Sequence, residues 1–270
     1  MKCLVDDAEV HVEVAGDWRP DAPALVLLHG ACNDHSAWDA VMPALGAAGI
    51  VVYAPDFPGH GASAGPALES IEAMVDWVTR LLDACGLGAC AIGGHSMGSL
   101  VALGVAARTP GRIVSLALIG TAAPMRVSPR LLEQARSDAP AAMRAVAAWS
   151  HRVRDGVTDP ADEARTLARM QAVEQADPGA LAIDLAACDA CADALAWGAA
   201  VRVPTVFVLG QEDRMTPPRA AESLRAAMPH ARTVLLPCGH ALMDEEASDV
   251  ARALAGSLPG AADRFMEPGT

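Results

Sequence analysis

The chain has 270 residues, of which 52% are hydrophobic and 20% charged, and its formal net charge is −13. That supplies the apolar material for a folded core and excludes a disordered chain. The acidic balance, with Lys2 as the single lysine, excludes the basic footprint that a nucleic-acid partner requires.

Residues 2–5 and 9–14 read as two short strands around a polar turn at Asp6-Asp7. Met1 to Asp7 contains acids and lacks the apolar run of a secretory signal. No stretch reaches the ~20 apolar residues of a membrane span, so no membrane partner is expected. Ala24 to Leu28 is a continuous apolar run, the mark of a strand covered on both faces, and it ends in His29-Gly30-Ala31-Cys32. Trp38 to Ala48 reads as a helix closed by Gly49, and residues 50–54 as the next strand. Asp56 to Ser63 is a loop dense in turn residues. Glu69 to Ala84 has the spacing of an amphipathic helix, and residues 89–93 and 113–119 are strands flanking a helix that begins after Ser96. This alternation predicts an α/β fold, a mostly parallel sheet with helices on both faces.

From Pro124 to about Gly198 the strand-like runs vanish. Ala, Arg, Glu, Asp and Met dominate, with Pro129, Pro140, Pro160 and Pro178 as breaks. Several short helices are expected there, forming a cap over the C-terminal edge of the sheet. The predicted organisation is a core of residues 1–123 and 199–270 with a helical cap at 124–198. The core resumes with a strand at 203–210, a helix from Pro217 to Ala227, a strand at 231–236 and a closing helix from Asp244 to Ser257. That brings the sheet to eight strands; residues 260–270 read as a loose tail.

One stretch carries a chemical signal. Cys90 to Gly93 is an apolar run, followed by Gly94-His95-Ser96-Met97-Gly98 and then a helix. A sharp strand-to-helix turn holds the central serine in a strained backbone conformation, and a Cβ at Gly94 or Gly98 would collide with its neighbours. The turn also sets Ser96 at a helix N-terminus, where free N–H groups can face a developing negative charge. A serine hydroxyl is a weak nucleophile and needs a base, which in turn needs an orienting acid. Asp213 and His240 lie just past two later strands, in the chain order Ser, Asp, His, at the sheet edge where ligand sites of parallel sheets form.

With His29-Gly30, Asp56-x-x-Gly59-x-Gly61-x-Ser63, Gly94-x-Ser96-x-Gly98, Gly210-x-x-Asp213 and Gly239-His240 in order, the chain resembles the α/β-hydrolase superfamily over almost all of residues 10–258. The likeness is to its cap-bearing esterases and enol-lactonase-like members. The resemblance implies a catalytic triad of Ser96, Asp213 and His240 and an oxyanion hole built from the backbone N–H groups of Ala31 and Met97. It implies hydrolysis of a small ester, thioester or lactone through an acyl-enzyme, a small-molecule acyl substrate, and neither metal nor organic cofactor. The same triad also serves hydrolases that cleave a C–C bond in a vinylogous diketone, and cofactor-free perhydrolases and acyltransferases. Epoxide hydrolases and haloalkane dehalogenases of this fold use an aspartate nucleophile, and Ser96 stands against both. A non-catalytic ligand-binding homologue would be expected to have lost part of the triad.

His29, Trp38, His95, Met143, Trp149 and Trp197 are candidates for the substrate pocket, with His151 beside them; His29 could equally support the oxyanion turn. His35 and His60 read as solvated loop residues, and Asp56 as the tie of its own turn. Arg144, Arg152 and Arg154 could hold a substrate carboxylate. Glu212 is set aside in favour of Asp213 because the family pattern has aspartate there. Seven scattered cysteines, an odd number, read as reduced residues of a cytoplasmic protein. Cys188-x-x-Cys191 lacks the second ligand pair a zinc site requires. Monomer and homodimer both remain open.

Overall fold

The first strand pair, β1 (Lys2–Val5) and β2 (Ala8–Ala15), is an antiparallel hairpin turning at Asp6 and Asp7, which adopt φ of +51° and +64°. The computed structural model describes residues 1–19, 22–154 and 156–258; the tail expected at 260–270 lies outside them. The chain continues through β3 (Ala24–Leu28), α1 (Met42–Ala47), β4 (Val51–Pro55), α2 (Ile71–Ala84), β5 (Cys90–His95), α3 (Met97–Arg108) and β6 (Ile113–Ile119). Five helices follow: α4 (Pro129–Ser137), α5 (Ala139–Ser150), α6 (Pro160–Ala176), α7 (Ala180–Ala190) and α8 (Ala194–Ala200). The chain then returns through β7 (Thr205–Gly210), α9 (Glu222–Ala227), β8 (Arg232–Leu236), α10 (Leu242–Glu245) and α11 (Ala247–Ala255). No helix among the described residues is long and apolar enough to cross a membrane.

All eight strands join one sheet in the order β1-β2-β4-β3-β5-β6-β7-β8. β2 pairs antiparallel with β1 and β4, and the remaining pairs are parallel. From β3 the chain adds β4 on one side and β5 on the other. This reversal opens a crevice at the carboxyl ends of β3 and β5, where open parallel sheets bind ligands. His29-Gly30 leaves one of those ends and Ser96 the other.

Strand alternation divides the core between the two faces. Val26, Leu28, Phe207 and Leu209 join the cluster under α2, α3, α8 and α9. Leu25, Leu27, Val206 and Val208 join the one under α1 and α11. α3 is buried from Met97 to Ala106. A third, smaller cluster, including Leu131, Met143, Met170, Leu181 and Leu185, lies within the inserted helices.

Three predicted helices are broken. Instead of one helix over Trp38 to Ala48, a 3₁₀ turn at His35–Trp38 precedes α1, which starts at Met42 with Pro43 in its first turn. A proline has no N–H for an upstream carbonyl, so the helix restarts there. The helix expected from Pro217 is a 3₁₀ turn (Pro218–Ala221) followed by α9. The closing helix splits at Glu246, whose φ is −138°. The proline breaks of the insertion mark helix starts: Pro129, Pro140 and Pro160 occupy first turns behind the capping side chains of Ser128, Asp138 and Asp159.

Trp197, on α8, lies against α3; a Cβ at Gly104 would stand 3.0 Å from its ring. It is 8% exposed and belongs to the main core cluster. Trp197→Ala should therefore cost about 3–5 kcal/mol of stability, read as a lower urea midpoint, while KM for a small ester stays unchanged. A raised KM with unchanged stability would return Trp197 to the pocket.

Candidate active site

The β5–α3 junction holds Ser96 at φ +51°, ψ −118°, a left-handed conformation unusual for a residue with a side chain. The flanking glycines leave no alternative. A Cβ on Gly94 would sit 2.0 Å from Gly98 O, and one on Gly98 would sit 2.4 Å from Leu28 O. The turn is closed by Ser96 N–H donating to Ile119 O at 2.9 Å. Ser96 itself is half-buried and opens onto a cavity of about 270 Å³.

His240 lines the same cavity. Its Nδ1 lies 2.7 Å from Asp213 Oδ2. Asp213 Oδ1 accepts the backbone N–H groups of Met215 and Thr216 at 2.8 and 2.7 Å. Thr216 Oγ1 stands 2.8 Å from Asp213 Oδ2, 2.9 Å from Gly120 O and 3.1 Å from His240 Nδ1. Burial would raise the Asp213 carboxyl, but His240 and the Thr216 donors overcome it and hold the group down to about 2. The carboxylate is thus ionised and aimed at one imidazole nitrogen. Thr216 escaped the sequence reading; the spacing Asp213-x-x-Thr216, which lets a turn hydroxyl fold back on its own carboxylate, was the available signal.

Ala31 borders the cavity, and Met97 begins α3. Among the described residues neither backbone N–H finds an acceptor in the protein. The loop carrying Ala31 is held from beneath. Cys32, at φ +50°, donates its N–H to Asp184 Oδ2 on α7 at 2.7 Å. Asp184 Oδ2 also meets His60 Nε2 at 2.9 Å, both side chains fully buried.

Of the six residues expected in the pocket, His95 and Trp149 line the cavity. The other four do not. His29 is sealed under the loop, its Nδ1 2.9 Å from Gly30 O and its Nε2 accepting Phe57 N–H at 3.1 Å. Trp38 is fully buried in the sheet core, Met143 packs inside the insertion and Trp197 packs on α3. Size and apolarity mark a buried residue and do not say which cavity it faces. His151 is buried beside Thr166, 2.9 Å from its Oγ1. His60 and His35 are not solvated loop residues: His60 is buried against Asp184, and His35 pairs with Asp56 at 2.8 Å.

The apolar wall comes from Leu131, Val146, Met170, Leu181 and Leu185 of the insertion. Arg144 and Arg154 are exposed, and Arg152 binds Pro237 O and Glu246. The arginines that do border the cavity are Arg126, Arg169 and Arg214. Arg169 is held by Asp244 at 2.6 and 3.2 Å, while Arg126 and Arg214 donate to backbone carbonyls.

His11, His35 and Asp56 bring three potential metal-ligand atoms within 4.8 Å of one another. Asp56 Oδ1 already accepts His35 N–H at 2.7 Å and faces His35 Nδ1 at 2.8 Å, and Oδ2 accepts Ala62 N–H at 2.9 Å. The set is a loop brace. Burial pushes the Cys191 thiol up to about 11 and Cys188 well above the usual thiol range, which starves both of the thiolate that a nucleophile needs near neutral pH.

The histidines set a pH dependence. Burial, helped by His60, lowers His29 from 6.5 to about 4, and burial beside His240 lowers His95 to about 3. Burial would lower His60, but Asp184 overcomes it and raises it; the hydrogen bond to Asp56 raises His35. Below pH 6.5 the unfolded chain therefore binds protons that folded His29 and His95 refuse, and stability falls toward pH 4. His35 and His60 contribute stability that is complete below their unfolded value and lost as pH rises through their folded ones. The urea midpoint should peak near pH 6.5 and fall on the acid side, and a midpoint flat from pH 6.5 to 4 would contradict this assignment.

The chain matches the model of the Alpha/beta hydrolase family over residues 25–253. It is 34% identical over 244 residues to the pimeloyl-(acyl-carrier protein) methyl ester esterase of Aromatoleum aromaticum, covering 83% of this chain and 92% of that protein. To the enzyme of the same name from Nitrosomonas europaea it is 29% identical over 253 residues, covering 87% and 93%. Among solved structures, the enol-lactonase from Burkholderia xenovorans LB400 aligns with a TM-score of 0.82 at 26% identity, covering 99% of this chain and all of that one. The strand order, the Gly94-x-Ser96-x-Gly98 turn and a family match spanning the sheet from β3 to α11 agree: the chain belongs to the α/β hydrolase family.

Proposed function

We propose that this protein is a serine hydrolase that cleaves a small carboxylic ester, thioester or lactone through an acyl-enzyme, with Ser96 as nucleophile, His240 as general base and Asp213 as its orienting acid. The observation that carries the reading is the ionised Asp213 carboxylate, 2.7 Å from His240 Nδ1, in a cavity shared with the strained Ser96. With Nδ1 engaged, Nε2 is the nitrogen that takes the Ser96 proton as Oγ attacks the substrate carbonyl. The oxyanion develops against the unpaired N–H groups of Met97 and Ala31, which stabilise charge present only in the transition state. His240 then returns the proton to the leaving group, and water activated by the same nitrogen releases the acyl group.

The relatives support an acyl substrate: two are named as methyl ester esterases and one structure as an enol-lactonase. The apolar wall on the inserted helices supports binding of a medium-length acyl chain, with the helical segment acting as the cap.

A fluorophosphonate probe should label Ser96 stoichiometrically. Ser96→Ala should abolish labelling and lower kcat on the order of 10⁶-fold, as loss of the serine does in a comparable triad. Asp213→Asn should lower kcat by about 10⁴-fold through the wrong imidazole tautomer. A folded protein that stays unlabelled and inactive on p-nitrophenyl esters of graded acyl length and on lactones would overturn the proposal.

A further inference from the structure

We propose that Glu245 is a positioning residue for His240, fastening the loop of the general base to the chain segment that joins α5 and α6. This rests on the reading of His240 as the base. The loop runs from Pro237 to Ala241 and has no regular structure of its own. A general base must hold its geometry closely, and a misplacement of about 1 Å can cost on the order of 10²-fold in rate.

The carboxylate of Glu245 acts on both sides of the seam. Its Oε2 accepts the N–H of Gly239, the residue before His240, at 2.6 Å. Its Oε1 accepts the N–H of Arg152, on the segment after α5, at 2.8 Å. The ring of His151 stands against the same oxygen, Nδ1 to Oε1 at 3.5 Å, and its Nε2 reaches Thr166 in the cavity wall. Burial works to raise the Glu245 carboxyl, and His151 with the Gly239 and Arg152 N–H groups overcomes it, so the group is held below its usual value. The charge makes these hydrogen bonds stronger than neutral ones.

The packing leaves the loop nowhere else to go. A Cβ on Gly239 would fall 2.6 Å from Ser150 O and 2.7 Å from Arg152 N, and one on Gly210 would fall 2.2 Å from Gly239 O. Gly239 is therefore held between the end of β7 and the α5–α6 segment. On the far side of His240, Ala241 N–H donates to Ser150 O at 2.8 Å, and His240 O accepts from His95 Nε2 at 2.8 Å. Glu245 is the carboxylate that accepts from both the base loop and the α5–α6 segment, and the Arg152 guanidinium, donating to Pro237 O, ties the same two from the other side. Glu246, its neighbour, makes no side-chain bond to the base loop and meets the guanidinium of Arg152 at 3.2 Å.

The experiment compares Glu245→Gln, Glu245→Asp and Glu246→Gln with the parent chain and with His240→Ala. It reads kcat and KM on a p-nitrophenyl ester, the rate of fluorophosphonate labelling, and the circular dichroism of each variant. Glu245→Gln presents an amide NH₂ to one of two N–H donors, so one bond becomes a repulsion. It should lower kcat on the order of 10²-fold, leave KM within about twofold because Glu245 does not itself line the cavity, and slow labelling in proportion. If Glu245→Gln fails to fold, Glu245→Asp, which keeps the charge but withdraws it by one methylene, should show the same split. Glu246→Gln should behave as the parent. Parental kcat in the Glu245 variants, or a raised KM at unchanged kcat, overturns the inference while labelled parent and inactive His240→Ala leave the triad standing. An unlabelled parent and an active His240→Ala bring down the triad, and the inference falls with it.

Discussion

The backbone of Ser96 is the constraint around which the rest is arranged. A left-handed non-glycine residue costs on the order of 1–3 kcal/mol and persists only when its surroundings over-determine it. Here β5 and α3 do so from both sides. Gly98 lies against Leu28 O and His29 O at the end of β3, so close that a Cβ would fall within 2.5 Å of both. Ser96 O accepts the Ser99 hydroxyl, which itself meets Thr121 at 2.8 Å. Two adjacent parallel strands and a helix buried from Met97 to Ala106 thus press the serine up from the sheet edge. The same close approach of α3 to β3 brings the loop after His29 to the serine, which is why Ser96 and the unpaired Ala31 N–H share one cavity.

A second layer of order comes from charged groups set between the inserted helices and the core. Asp184 on α7 holds the loop after Ala31 together with His60. Arg169 on α6 meets Asp244 on α10. Glu245 and Arg214 bind the segment around Ser150 and His151. Buried ion pairs contribute little net stability against apolar replacements, because desolvation offsets most of the attraction. They do have direction. An apolar interface carries no such direction, whereas these contacts fix the inserted helices against the loops of the core. The helices that wall the cavity are also the ones that brace the loops below it.

The strands were legible because each is an apolar run bounded by turn residues, and Ser96, Asp213 and His240 stood out as candidates because each lies within three residues of a glycine at a strand end. Pro129, Pro140 and Pro160 were read as breaks and proved to be helix starts, the same local chemistry seen from the other side. His95 and Trp149 line the cavity as expected, but most statements about which cavity a large side chain faces failed. Trp38, Met143 and Trp197 are large and apolar, and three separate cores absorb them. His60 lies among turn residues, yet its partner Asp184 is 124 residues away. The arginines that border the cavity are Arg126, Arg169 and Arg214, not Arg144 or Arg154, because the tertiary partners of each side chain, such as Asp244 for Arg169, decide which guanidinium faces inward.

By itself the sequence determined the sheet, the order of its elements, the strained serine turn and the identity of the three groups that could pass a proton. These are properties of short segments, set by periodicity, by glycine where no Cβ fits, and by residue type at strand ends. Only the tertiary structure decided which groups hold those three in place and which walls surround them. Thr216, Asp184 and Glu245 acquire their roles from partners on other elements, and a buried carboxylate takes its meaning from the N–H groups that folding turns toward it.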